Sequence, residues 1–283
     1  MTVEASFSTE QLRNCYQEDY FRGREYVDYL TDAPAQKKTL GRHLDVVRRF
    51  VPRGARLLEA GCAYGFFLEL IQDEYPNSVG LDIFSAGVAH AKSRGFDARE
   101  GNLLEMEIEE RFDGICLWDT IEHLPQPFEF IERASQLLKP GGYCFLTTGD
   151  FGALLPRLQG LNWRQIHPPT HLFYFTRPSL RALCQRAGLE AVRFGTVSVH
   201  RRFGSALEAL SRFRKDSMPG RVASVATRLL PNRVLNSSFG MNLGDTLYLV
   251  AKKPSHLLET TASLFESVPP LPQHKTQGTG ASG

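Results

Sequence analysis

From Arg56 onward, short apolar runs alternate with amphipathic stretches, so that two periods separate along the chain. RLLEAG (56–61), SVGLDIF (78–84), FDAREGN (96–102), FDGICLWD (112–119), GGYCFLTTG (141–149), LEAVRFGTVSV (189–199) and GDTLYLVAKK (244–253) are strand-like, and the segments between them carry apolar residues at helical spacing. Strands that alternate with helices imply βαβ units and hence parallel pairing. The pattern predicts an α/β fold: seven strands in one mostly parallel sheet, with helices on both faces.

Flanking this rhythm are three segments of different character. Residues 1–50 read as a helical cap of two or three helices from Thr9 to Phe50, rich in Tyr16, Tyr20, Phe21, Tyr26 and Tyr29, with Pro52 and Gly54 marking the entry to the first strand. Those aromatics are expected to pack the helices, and Tyr20 and Phe21 are the pair best suited to wall a pocket. A helical insertion spans 201–238, where Phe203, Leu207 and Leu210, then Val222, Val225, Ala226, Leu229 and Leu230, fit two amphipathic helices broken at Pro219-Gly220. Residues 254–283, ending QHKTQGTGASG, are too polar to offset their ordering entropy and are expected to be disordered. The main domain is then 51–253.

Composition narrows the function classes. A formal charge of +2 over 283 residues gives no reason to expect nucleic acid as a partner. Cys15, Cys62, Cys116, Cys144 and Cys184 form no CxxC pair, the expectation for a reduced, cytoplasmic protein. Met1 to Glu10 lacks the apolar stretch of a signal peptide, and no apolar run approaches the roughly 20 residues that span a bilayer.

The candidate chemistry begins at LLEAGCAYG (57–65), a loop that follows a strand and opens a helix. A dinucleotide fingerprint laid on Gly61 requires glycines where Ala63 and Phe66 stand, and the Walker pattern is absent. What remains, E-x-G-x-x-x-G, brings backbone close to a ligand without cradling a pyrophosphate. S-adenosylmethionine has no phosphate, and a carboxylate at Glu59 suits its cationic end. Asp82, 21 residues after Gly61, ends the second strand where a carboxylate can accept from both ribose hydroxyls.

With GNLLE (101–105), FDGICLWDTIEHLPQP (112–127), LLKPGG (137–142) and HPPTHLFYFTRPSLRALCQRAGL (167–189) in order, residues 56–199 resemble the class I S-adenosylmethionine-dependent methyltransferases. The likeness is to the small-molecule enzymes related to ubiquinone biosynthesis. It implies a Rossmann-like fold, S-adenosylmethionine as cofactor, and methyl transfer to a small molecule, with oxygen favoured over nitrogen or carbon. It places Glu59, Gly61, Ala63 and Gly65 around the methionine part, Asp82 on the ribose, Asn102 and Leu103 at the adenine, and Trp118 and Asp119 behind the sulfonium. Two departures stand out: Ala63 replaces the usual second glycine, and Asn102 the usual acid, although an Asn carbonyl can still accept from the adenine amino group.

Methyl transfer needs an aligned acceptor and, for a hydroxyl, a base. His123, His171 and His167 are the candidates, since histidine titrates in the useful range; no metal ligands are named. The stretch 201–233 holds eight basic residues against Glu208 and Asp216. It is read as a packed lid, as a site for an anionic substrate, or as a peripheral contact with an anionic membrane. The rival to an enzyme is a non-catalytic, adenosylmethionine-binding or regulatory protein of the same fold.

Overall fold

The chain was analysed as a computed structural model, which describes residues 29–168, 170–213 and 217–255. Seven strands form the main sheet: β1 (Leu57–Ala60), β2 (Val79–Asp82), β3 (Ala98–Glu100), β4 (Phe112–Trp118), β5 (Leu138–Gly149), β6 (Glu190–Thr196) and β9 (Thr246–Lys252). Their order is β3-β2-β1-β4-β5-β9-β6, with β9 antiparallel to both neighbours and every other pair parallel. Each of the seven strand-like runs in the sequence forms one strand of this sheet.

The near-continuous apolar composition of the central strands has a direct cause. A parallel sheet carries crossover helices on both faces, so both sets of alternating side chains are buried. Leu58, Ile115, Leu117, Leu146 and Leu249 join one core, against α4 (Pro127–Leu137) and α6 (Arg177–Arg186). Their chain neighbours Leu57, Cys116, Trp118, Phe145 and Val250 join the other. That second core is closed by α1 (Ala33–Val47), α2 (Phe66–Ile71) and α3 (Ser85–Ser93). The short α5 (Leu154–Gln159) follows β5 on the surface.

Of the predicted cap, α1 and Tyr29 fall within the described residues, whereas Tyr16, Tyr20, Phe21 and Tyr26 lie outside them. Nearly all of the segment 254–283 also lies outside.

The insertion differs from its sequence reading in two respects. A ribbon of β7 (Val199–Arg202) and β8 (Ser238–Met241) frames it, leading into α7 (Phe203–Phe213), α8 (Met218–Leu229) and α9 (Asn232–Leu235). The helices are separated before Ser217, not at Pro219-Gly220: Ser217 caps α8 by accepting from the Gly220 N–H, and Pro219 sits in the first turn. Proline is tolerated there because its missing N–H would have had no helical partner. The ribbon is tied to α1 at its start. Arg202 donates to Asp32 at 3.0 Å, Ser205 also donates to Asp32, and the His200 N–H donates to Thr39 at 2.8 Å. Arg202 is therefore a partly buried ion-pair member and not part of a solvated basic face.

Gly65 and Gly54 share a left-handed backbone (φ 76° and 82°) but differ in surroundings. A Cβ on Gly65 would lie 2.8 Å from the Ala91 Cβ, whereas one on Gly54 meets nothing within 4 Å. Gly54→Ala should cost about 1 kcal/mol, the backbone term alone, and Gly65→Ala about 2–3 kcal/mol once overpacking is added. Denaturant unfolding of both variants measures the difference; equal losses would contradict the close approach of α2 and α3.

Candidate functional site

At the end of β1 the chain turns through Gly61 (φ 87°), Ala63 (φ 44°) and Gly65 (φ 76°) into α2. Gly61 has a second reason to be glycine, since a Cβ there would lie 2.6 Å from the Thr120 hydroxyl oxygen. Ala63 holds a left-handed backbone despite its Cβ, which costs about 1–2 kcal/mol and must be imposed by the surroundings. What imposes it is Asp82. Its Oδ2 accepts from the Ala63 N–H at 2.7 Å, and its Oδ1 accepts from the Phe84 N–H at 2.8 Å. Burial raises the Asp82 carboxyl above the usual range, against the lowering effect of these N–H donors. Each oxygen keeps a further lone pair for a ligand hydroxyl.

A cleft of about 240 Å³ opens here, at the C-terminal ends of β1, β2 and β4. Glu59, Gly61, Ala63 and Asp82 line it on one side, and Asn102, Leu103, Trp118 and Asp119 on the other. Of the predicted cofactor residues Gly65 alone is absent from the lining; its place is in the contact with Ala91. Asn102 does not offer a fully open carbonyl, because its Oδ1 already accepts from the Leu104 N–H at 3.1 Å.

The electrostatics of the cleft are set by burial. Glu59 is buried with no hydrogen-bond partner among the described residues on Oε2, and its carboxyl is pushed well above the usual carboxylate range by burial and then by the charge of Asp82. Asp119, also left-handed at φ 48°, receives the Thr147 hydroxyl at 2.9 Å, yet burial raises it as well. Trp118 is held edge-on to Phe67, with ring centroids 5.3 Å apart, and its Nε1–H has no partner among the described residues. Phe66, the residue that disfavoured a dinucleotide, stacks on Tyr29 at 5.5 Å and helps line the cleft.

One residue was missed by the sequence reading. His43 of α1 is 2% exposed, stacks on Trp118 with centroids 4.5 Å apart, and has no partner among the described residues on either ring nitrogen. Burial lowers it to about 3. The available signal was a partly polar stripe: Gln36, Thr39, Leu40 and His43 stand at i, i+3, i+4 and i+7, and all four line the cleft.

The three predicted bases lie in one row, and His123 is the one that lines the cleft. It ends the 3₁₀ turn Ile121–His123, and its Nδ1 is 2.8 Å from the Thr170 carbonyl oxygen. A carbonyl can only accept, so Nδ1 carries the hydrogen and Nε2 is the proton-accepting nitrogen. Burial lowers His123 to about 4. His171 meets it edge-on at 4.6 Å and is lowered to about 3 by burial. His167 is exposed, bonds to the Arg164 carbonyl, and lies with its ring centroid 5.4 Å from that of His171. The segment bearing these two is anchored at both ends. Trp163 and Arg164 each donate to the fully buried Asp245 at 2.8 Å, and the Leu172 N–H donates to the Glu122 carbonyl at 2.8 Å. Glu122 itself is buried, and burial followed by the charge of Asp119 raises it to about 8. One ligand atom each from Glu122, His123 and His171 lie within 4.8 Å of one another. A carboxylate with two imidazoles is a donor set that suits a divalent cation.

A family described as a methyltransferase domain matches residues 19–193, more than half of the chain. A probable S-adenosylmethionine-dependent methyltransferase of Mycolicibacterium smegmatis is 33% identical over 155 residues, covering 53% of this chain and 58% of that protein. The ubiquinone biosynthesis O-methyltransferase of Pseudomonas aeruginosa is 32% identical over 151 residues, covering 48% of this chain and 65% of that protein. The chain thus spans less than two thirds of the length of these curated relatives. Among solved structures, magnesium protoporphyrin IX methyltransferase from Synechocystis with bound S-adenosylhomocysteine is similar at TM-score 0.55 and 13% identity, covering 87% of this chain and all of that one. The [4+2]-cyclase SpnF is similar at TM-score 0.53 and 20% identity, covering 76% of this chain and 81% of that one. These structural likenesses establish the Rossmann-like fold.

The burial of His43 predicts acid sensitivity of a definite sign. Its folded value of about 3 lies below the ordinary 6.5, so between those values the unfolded chain binds a proton that the folded chain refuses. Its contribution to stability is complete above pH 6.5 and is lost as pH falls, by about 2 kcal/mol at pH 5. His43→Leu should remove that share of the loss in denaturant unfolding at neutral pH and pH 5; an unchanged pH dependence would show the imidazole to be hydrated.

Proposed function

The chain belongs to the methyltransferase-domain family, and on that premise we propose that it transfers a methyl group from S-adenosylmethionine to a small-molecule acceptor, oxygen being the favoured receiving atom. A place in a biosynthetic pathway is part of the same reading. The observation that carries it is the lining of a single cleft, which gathers the carboxyl groups of Glu59, Asp82 and Asp119 beside a tight glycine turn.

The fit can be judged from the orphaned atoms. Glu59 is a buried carboxyl whose Oε2 no described residue satisfies, a costly arrangement unless a ligand supplies a donor or a positive charge. A bound S-adenosylmethionine supplies a cationic amino-acid end and a methyl carbon activated by its sulfonium. Glu59 and the turn at Gly61 and Ala63 would hold the amino-acid end, Asp82 the ribose, and Asn102 with Leu103 the adenine. Trp118 and Asp119 would back the sulfonium.

His123 is our choice for removing the acceptor proton, through Nε2, while the Thr170 carbonyl fixes its tautomer and His171 limits its rotation. Its lowered value leaves the ring neutral, and so able to accept, throughout the neutral range. The rings of Tyr29, Phe66 and Tyr64 stack on one another, and Tyr29 and Phe66 line the cleft, where they would help to keep water from the sulfonium. His43, with Thr39 and Gln36 on the same face of α1, would contact the acceptor.

Titration calorimetry with S-adenosylmethionine and S-adenosylhomocysteine tests the cofactor assignment. Both should bind the parent, and Asp82→Ala should weaken both by about 10- to 100-fold, the loss of charge-assisted hydrogen bonds. Glu59→Gln should weaken both, since the cationic amino group is common to the two, whereas Asp119→Asn should weaken the sulfonium form more than the neutral thioether form. A parent chain that binds neither nucleoside would sink the proposal. Turnover is read from methyl-labelled cofactor incubated with metabolite pools: labelled product supports the enzyme, and binding without product would make the chain a cofactor-binding protein of this fold.

A further inference from the structure

Within the insertion, α8 is built inside out. Its small residues Gly220 and Ala223 are buried against the protein, whereas Met218, Val222, Val225 and Leu229 are 54–77% exposed. These four stand at i, i+4, i+7 and i+11, one stripe along the helix. A helix that packed as an ordinary lid would turn this stripe inward. Arg221 and Arg228 flank it on one side, both exposed, and exposed Arg233 follows on α9. Between Ser217 and Leu243 the sequence contains these three arginines and no carboxylate.

We propose that the outward stripe of α8, with Arg221, Arg228 and Arg233, is a docking surface for an anionic lipid bilayer. The stripe lies at the depth of the acyl boundary and the arginines meet the headgroup charge, the arrangement of an interfacial helix lying in the membrane plane. No helix among the described residues is long and apolar enough to cross a membrane, so the contact is peripheral. The charge pattern favours lipid over a second copy of the chain. A two-fold pairing through this stripe would oppose each arginine row to itself with no acid to neutralise it. The mounting is firm, because the ribbon that carries α7 and α8 is tied to α1 by the Arg202–Asp32 pair and the bond from His200 to Thr39. Since α1 also walls the cleft, docking through α8 presents the membrane to the element that borders the proposed acceptor site.

The test is flotation of the full chain with phosphatidylcholine vesicles, pure or containing roughly one-third phosphatidylglycerol. The parent should float with the anionic vesicles and bind them at least about tenfold better than the neutral ones, with the difference shrinking in high salt. The triple variant Val222→Ser, Val225→Ser, Leu229→Ser and the double variant Arg221→Gln, Arg228→Gln should each lose that binding while keeping the parent's unfolding curve, since all five side chains are exposed. A third variant removes Leu154, Leu158 and Leu161, an exposed apolar group on and just after α5, and should leave binding intact. The inference fails if the parent ignores both vesicles, if only the α5 variant abolishes binding, or if the serine variant instead converts a dimer to a monomer. The assay contains no cofactor, so its failure leaves the methyl-transfer reading standing.

Discussion

The structure depends on the bridge that Asp82 makes between two strand ends. One carboxylate holds the Ala63 N–H from the loop after β1 and the Phe84 N–H at the start of α3, at 2.7 and 2.8 Å. Without it, Ala63 has no reason to keep a left-handed backbone, and the glycine turn has no fixed floor. With it, the turn is rigid before any ligand arrives, and the energetic cost of ordering the loop falls on folding instead of on binding. The same residue that the sequence marks as a ligand-binding acid is thus first a structural clamp.

The central strands were legible because burial on both sheet faces forces a run of apolar residues there, whereas the edge strands β3 and β6 are partly exposed and were legible from their place in the strand–helix alternation. The helix break in the insertion was misplaced because Pro219 was read as a stop, although in the first turn it is a start signal. The β7–β8 ribbon escaped notice since Val199–Arg202 and Ser238–Met241 are four-residue strands with little apolar alternation, and neither length nor period distinguishes them from loop.

The cleft was legible in the residues that the sheet itself positions. Glu59, Asp82, Trp118 and Asp119 stand at or beside strand C-terminal ends, where such a sheet leaves its crevice. His43 was not legible for the opposite reason. It sits on a helix joined to the sheet only through packing, and a histidine on a buried helical face looks like core until the third dimension shows two unpaired nitrogens beside a tryptophan. His167 and His171 come from one aromatic-rich segment, and the fold separates their settings: His171 meets the His123 ring, whereas His167 is exposed and bonded to the Arg164 carbonyl.

Charge selection follows from these placements. Burial raises the carboxyls of Glu59, Asp82, Asp119 and Glu122, and burial lowers the imidazoles of His43, His123 and His171. Both sets are pushed toward the uncharged form by the same cause, removal from water. An arriving phosphate would find the carboxyls opposing it and, among the described residues, no lysine or arginine on the cleft wall to receive it. An arriving cation would pull the same carboxyls back toward ionisation, and each proton released would strengthen its hold. Among the described residues the lining therefore suits a nucleoside carrying positive charge better than one carrying phosphate.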